Sequence, residues 1–197
     1  EQAAYTGPER RSGHDRREGK DEIRILYTGD LGRKMKPIIR DPATNVPPPD
    51  YIFIESTYGN RRHEDTAVAM EELRKIVRRA IEKKGKIIIP SFAIERTQEI
   101  VYYLHLLVDQ KKIPPIPIYV DSPMAVNATS IFQVHQECYS DDVHEAFLQH
   151  HKNPFGFGSL SFVNSLEESK GLNKKEGPMV IISAGGMCES GRIVHHI

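Results

Sequence analysis

The sequence has no tryptophan and only two cysteines in 197 residues. Cys138 and Cys188 stand far apart and in no CxxC pattern, which excludes a disulfide-stapled scaffold and reads as reduced thiols in a cytoplasmic protein. Charge of one sign is missing as well: 27 basic residues balance 27 acidic ones, so there is no global field, and contacts to nucleic acid have to come from local patches. No apolar run approaches membrane-spanning length and no signal-peptide pattern is present, so no membrane partner is expected. Nine histidines occur, but none in HxH, HxxxH or HxHxD spacing. His150–His151 and His195–His196 are adjacent pairs, and adjacent residues on a helix do not share a face, so they chelate poorly. The GxxxxGK[ST] spacing of a phosphate-binding loop is absent, and no dinucleotide fingerprint is convincing, which leaves a plain Rossmann-like nucleotide binder as a remote reading.

What is present is strand and helix in alternation. The first 22 residues carry almost no apolar side chains and read as a flexible tail, in which Arg10, Arg11, Arg16 and Arg17 form a basic arm. Strand-like runs then follow at 23–28, 51–54, 86–90, 116–120, 160–163 and 179–183. Most are continuously apolar, which suits strands covered on both faces. Leu73, Ile76, Val77, Ala80 and Ile81 make one helical stripe, and Ile100, Val101, Leu104, Leu107 and Val108 a second. Gly85 is placed to end the first helix. "DPATNVPPPD" (41–50) is a stiff surface connection, and "SGRIVHHI" begins a helix. The fold class expected is α/β with a mostly parallel sheet.

The strand ends carry the chemistry. They read "TGD", "ESTYG", "PSFAIER", "DSPMA" and "SAGGM". Ligands in open α/β sheets sit at the carboxyl ends of strands. Asp30 is either a turn carboxylate or a metal ligand able to bridge two cations. Glu55 is costly to bury unless paired; it is either a capping carboxylate or an acid beside a metal site. Ser122 is a good N-cap with Pro123 at the first helical position, and a helix start also suits an anion. Gly185 and Gly186 permit a backbone nest of phosphate size, with Ser183 and Arg192 nearby. Arg96 and Glu99 have the spacing of an ion pair. Arg61 and Arg62 are either a solvated loop or a phosphate-steering patch.

In this order the endings resemble the RNA-processing nucleases of the metallo-β-lactamase fold, in their β-CASP branch. That group includes bacterial and archaeal ribonucleases and the eukaryotic pre-mRNA 3′-end cleavage endonuclease. "YTGDLGR" resembles the motif whose aspartate, here Asp30, bridges two zinc ions. "ESTYG" resembles the first motif of the β-CASP region, with Glu55 as its acid. "IPSFAIERTQEIVYYL", "IYVDSPMA", "NPF" and "GPMVIISAGGMCESGRIVHHI" resemble the inserted cap domain. The resemblance implies strands of a metallo-β-lactamase αββα half at 23–59 and a β-CASP cap at 60–197, incomplete at its C-terminus. It implies a zinc-dependent hydrolase acting on RNA, single-stranded and held in a cleft, with a homodimer compatible. Asp30 is the metal ligand, Glu55 the catalytic acid or orienting group, and Ser122, Ser183, Gly185, Gly186, Arg192, Arg61 and Arg62 the candidate phosphate contacts. The family's HxHxDH motif and its further histidines are not in this sequence. The expectation is therefore a central segment of a longer enzyme, inactive alone; the alternative is a non-catalytic RNA-binding or scaffold module.

Overall fold

A computed structural model describes residues 22–150 and 153–197. The arginine arm and His151 lie outside the described residues. The described residues gather into two compact units: 22–34 with 42–62, and 35–41 with 63–150 and 153–197.

In the first unit, β1 (Ile25–Tyr27) pairs in parallel with β2 (Tyr51–Phe53), Ile25 opposite Tyr51 and Tyr27 opposite Phe53. The Asp50 carboxylate accepts the Arg24 N–H at 3.1 Å, and the Thr28 N–H continues the ladder to the Phe53 carbonyl. The expectation of cover on both faces fails here. Ile25, Tyr27, Ile52 and Phe53 are all exposed. Continuous apolarity marks a strand that has something to bury, but it does not supply the layer that buries it.

The second unit meets that expectation at the two central strands of its sheet. Its order is α1 (Thr66–Glu82), β3 (Lys86–Ser91), α2 (Arg96–Asp109), β4 (Ile118–Asp121), α3 (Pro123–Val134), α4 (Asp141–His150), β5 (Leu160–Phe162), α5 (Leu166–Lys174) and β6 (Met179–Ala184), with a short 3-10 turn at Arg192–His195 where the sequence suggests a helix. All four strands are parallel, in the order β3-β6-β4-β5. Val180 and Ile182 join the main core with Val77, Leu104 and Ile118, while Met179 and Ile181 join a second cluster with Val163 and Leu172. Successive side chains of a strand face opposite ways, so a strand with a layer on each side is apolar throughout. This is the physical content of the "MVIIS" run.

Local details depart from the sequence reading. Ile76, expected in the stripe of α1, is exposed, whereas Val77 is fully buried. The left-handed residue ending α1 is Lys84 (φ 51°), not Gly85. The Gly85 N–H bonds the Ala80 carbonyl and the Lys84 N–H that of Ile81, which is the paired bonding of a Schellman cap. Residues 35–41, far from the rest of the unit in sequence, are strapped onto it. Ile38 is buried, its carbonyl accepts the Ser140 N–H at 2.8 Å, and Lys36 reaches Glu95 at 3.1 Å and Glu99 at 3.4 Å.

Candidate functional site

Asp30 and Glu55 follow two strands that run in register, three residues beyond Tyr27 and two beyond Phe53. Both therefore emerge from the carboxyl edge of the same small sheet. Gly29 takes a left-handed conformation (φ 56°), which turns the chain just before Asp30. Asp30 is exposed and has no hydrogen-bond or ion-pair partner among the described residues. Glu55 is half-buried, and its Oε2 accepts the Thr57 N–H at 2.7 Å. That backbone bond, with a second contribution from the Thr57 side chain, holds the Glu55 carboxyl below its usual range. Glu55 is thus a carboxylate at neutral pH. The exposed Arg61 places its guanidinium 4.4 Å from the centre of the Tyr58 ring, and Arg62 beside it is also exposed.

The carboxyl edge of the four-stranded sheet is organised differently. Asp121 ends β4 fully buried. Its Oδ1 accepts from Arg192 at 2.7 Å, and its Oδ2 accepts from the Ser169 hydroxyl at 2.6 Å and lies 2.7 Å from Nε2 of the buried His196. Arg192 donates further to the carbonyls of Val163 and Asn164, and Nδ1 of His196 meets Oδ1 of Asn173 at 2.7 Å. A buried carboxylate persists only when its charge is paired and its lone pairs are filled, and here both conditions hold.

The remaining sequence candidates gather around this group and are engaged with protein atoms. Ser183, buried, donates to the Asp121 carbonyl at 3.1 Å. Ser122 caps α3 by accepting the Ala125 N–H at 3.2 Å, with Pro123 opening the helix as its sequence predicts. Gly185 (φ 118°) is required by a close approach: a Cβ there would lie 2.2 Å from the Ser190 carbonyl oxygen. Gly186 faces the Phe92 ring. Ser122, Ser183 and Arg192 thus have internal partners, and Gly185 is fixed by a close approach. Arg96 and Glu99 do pair, at 2.7 Å. Asp121 and Ser169 carry no signal used in the sequence reading, and His196 enters it only as half of an adjacent pair that chelates poorly. The cost of burying an acid at the end of an apolar strand, applied to "IYVD" as to "IFIE", is the signal that points to Asp121.

No group of three or more His, Cys, Asp or Glu side chains able to hold a metal occurs among the described residues. A zinc pair needs several donors of imidazole or carboxylate type. Asp30 suits one bridging position of such a centre, and the described residues do not bring the rest together. No helix among the described residues is long and apolar enough to cross a membrane.

The Beta-Casp domain model matches residues 97–197. The chain is 40% identical to Ribonuclease TTHA0252 of Thermus thermophilus, over 88% of this chain and 39% of that protein. It is 31% identical to the Transcription termination factor FttA of Methanosarcina mazei, over 87% of this chain and 27% of that protein. It is 30% identical to the Endoribonuclease YSH1 of Kluyveromyces lactis, over 86% of this chain and 22% of that protein. The chain therefore spans about two fifths of the first of these relatives and less of the others.

Proposed function

Since the chain belongs to the Beta-Casp family, we propose that it is a segment of a ribonuclease that hydrolyses phosphodiester bonds in RNA. The observation that carries this reading is the pair of carboxylates at one sheet edge, Asp30 exposed and Glu55 ionised, delivered by strands in register. Asp30 is the ligand this chain offers to a two-zinc centre; the described residues do not complete the donor set. Glu55, already a carboxylate at neutral pH, acts as an acceptor that orients rather than as a proton donor. Arg61 and Arg62 supply positive charge for phosphate, and Tyr58 holds the first of them in place. The substrate is single-stranded RNA in the cytoplasm.

Metal analysis and a cleavage assay on labelled single-stranded RNA test the assignment. The 197-residue chain is expected to bind no stoichiometric zinc and to show no turnover. In the longer ribonuclease carrying this segment, Asp30→Ala is expected to abolish cleavage. Cleavage that survives Asp30→Ala overturns the role given to Asp30, and tight zinc with turnover in the 197-residue chain places the whole centre within it.

A further inference from the structure

The amino edge of the four-stranded sheet, opposite the Asp121 cluster, carries a separate feature. The connection from α1 to β3 contains Lys83, Lys84 and Gly85; α5 ends at Lys174, and its connection to β6 contains Lys175, Glu176 and Gly177. Because β3 and β6 are parallel neighbours with Lys86 opposite Met179, the two lysine-bearing connections emerge side by side. Between them lies an open groove of about 810 Å³ lined by Lys84, Lys86, Lys174 and Lys175, with Glu176 as the one acidic residue of its lining.

Two of these ammonium groups are fixed. Lys86 donates to the carbonyls of Leu172 and Asn173 at 3.0 and 2.9 Å, satisfying the C-terminal end of α5. Lys175 donates to the Tyr119 hydroxyl at 2.8 Å. Lys84 and Lys174 are exposed at the groove. Lys84 holds the left-handed position where glycine is the ordinary residue, so a cation stands there against backbone preference. Four like charges around one groove repel, in a chain whose overall charge is zero, and an anion relieves that repulsion. The groove is open to solvent, which suits a polyanion laid across it better than an enclosed small anion. It lies one strand length, about 17 Å, from the carboxyl edge of the same sheet.

We propose that this groove binds the phosphate backbone of single-stranded RNA, a docking site apart from the strand ends that carry the Asp121 cluster. The inference rests on the ribonuclease reading above. Binding here releases counterions, so it is read from salt dependence.

The test is fluorescence anisotropy of a labelled oligouridylate with the 197-residue chain across a salt series. Lys84→Gln/Lys174→Gln removes two cations that hold no part of the fold together. It is expected to lower the magnitude of the slope of log K against log salt by about 1.4, at about 0.7 for each lost phosphate contact on a single strand. Thermal unfolding is expected to stay unchanged. Lys111→Gln/Lys112→Gln, with the same charge removed elsewhere, is expected to keep the wild-type slope. RNA binding with the slope unaltered in Lys84→Gln/Lys174→Gln overturns the groove alone. An equal loss in both double variants, or preferential binding of poly-glutamate, also overturns it. Absence of RNA binding by the wild-type chain overturns the groove and leaves the ribonuclease reading to the Asp30→Ala test above.

Discussion

The two parallel sheets of this chain both end in carboxylates, and they use them in opposite ways. Beyond β1 and β2, Asp30 is exposed and Glu55 accepts one local N–H. At the end of β4, Asp121 is sealed among Arg192, Ser169 and His196. The local sequences look alike, an apolar strand running into an acid. The difference is made elsewhere, by the chain returning Arg192 and His196 to Asp121 from 71 and 75 residues downstream. A carboxylate to which the fold brings cations is bound up in structure. One that receives none among the described residues is free for a ligand. The sheets differ in cover in the same sense, since β6 is buried along its first five residues while β1 and β2 are mostly exposed.

The largest effect expected from this comparison is at Asp121. Asp121→Ala leaves Arg192 largely buried without its partner and is expected to destabilise the four-stranded unit by about 3–5 kcal/mol, the usual cost of breaking a buried pair from one side. Asp30→Ala is expected to leave stability within about 0.5 kcal/mol, as an exposed surface change does. Urea denaturation of both variants checks the contrast. Equal losses would mean that the exposed carboxylate holds the fold together as much as the buried one does.

How much of this could be read beforehand follows from the range of the interactions involved. All six strands were legible, because alternation and continuous apolarity are local signals. So were the Ser122 cap and the Arg96–Glu99 pair, each made within three residues. The strap at 35–41 was not, because Ile38 is buried by partners about a hundred residues away. The structural engagement of Arg192 was hidden for the same reason. Glycine and arginine beside a strand end suggest an anion site, whereas the bond from Arg192 to Asp121 spans 71 residues and leaves no local signal.

A second, smaller contrast concerns cover. Ile181 is fully buried between the sheet and α5, and Ile52 is 57% exposed. Ile181→Ala is expected to cost about 2–5 kcal/mol, and Ile52→Ala no more than about 0.5. The check is the same denaturation experiment, joined to amide exchange. Protection is expected to be strong along β6 and weak along β1 and β2, since a two-stranded sheet alone is marginal. A large loss from Ile52→Ala, or equal protection in the two sheets, would show that β1 and β2 are buried in solution.

The smallest effect tests whether exposed carboxylates can also be structural when backbone N–H groups hold them. Glu168 closes the capping box of α5: its Oε2 accepts the N–H groups of Ser165 and Asn164, and its own N–H bonds the Ser165 hydroxyl at 3.1 Å. The Ser165 backbone bond first, then that of Asn164, lowers its pKa from the ordinary 4.5. A carboxyl with a depressed folded-state pKa contributes stability that is complete above its unfolded value and is lost as pH falls through the folded one. Glu168→Gln is therefore expected to be less stable than wild type at pH 7, with the gap closing as the pH drops below about 4.5. Urea midpoints at pH 7, 5, 4 and 3 read that gap directly. A gap that stays constant over this range would mean that the cap acts through its shape alone, and that the charge on Glu168, unlike that on Asp121, does no structural service.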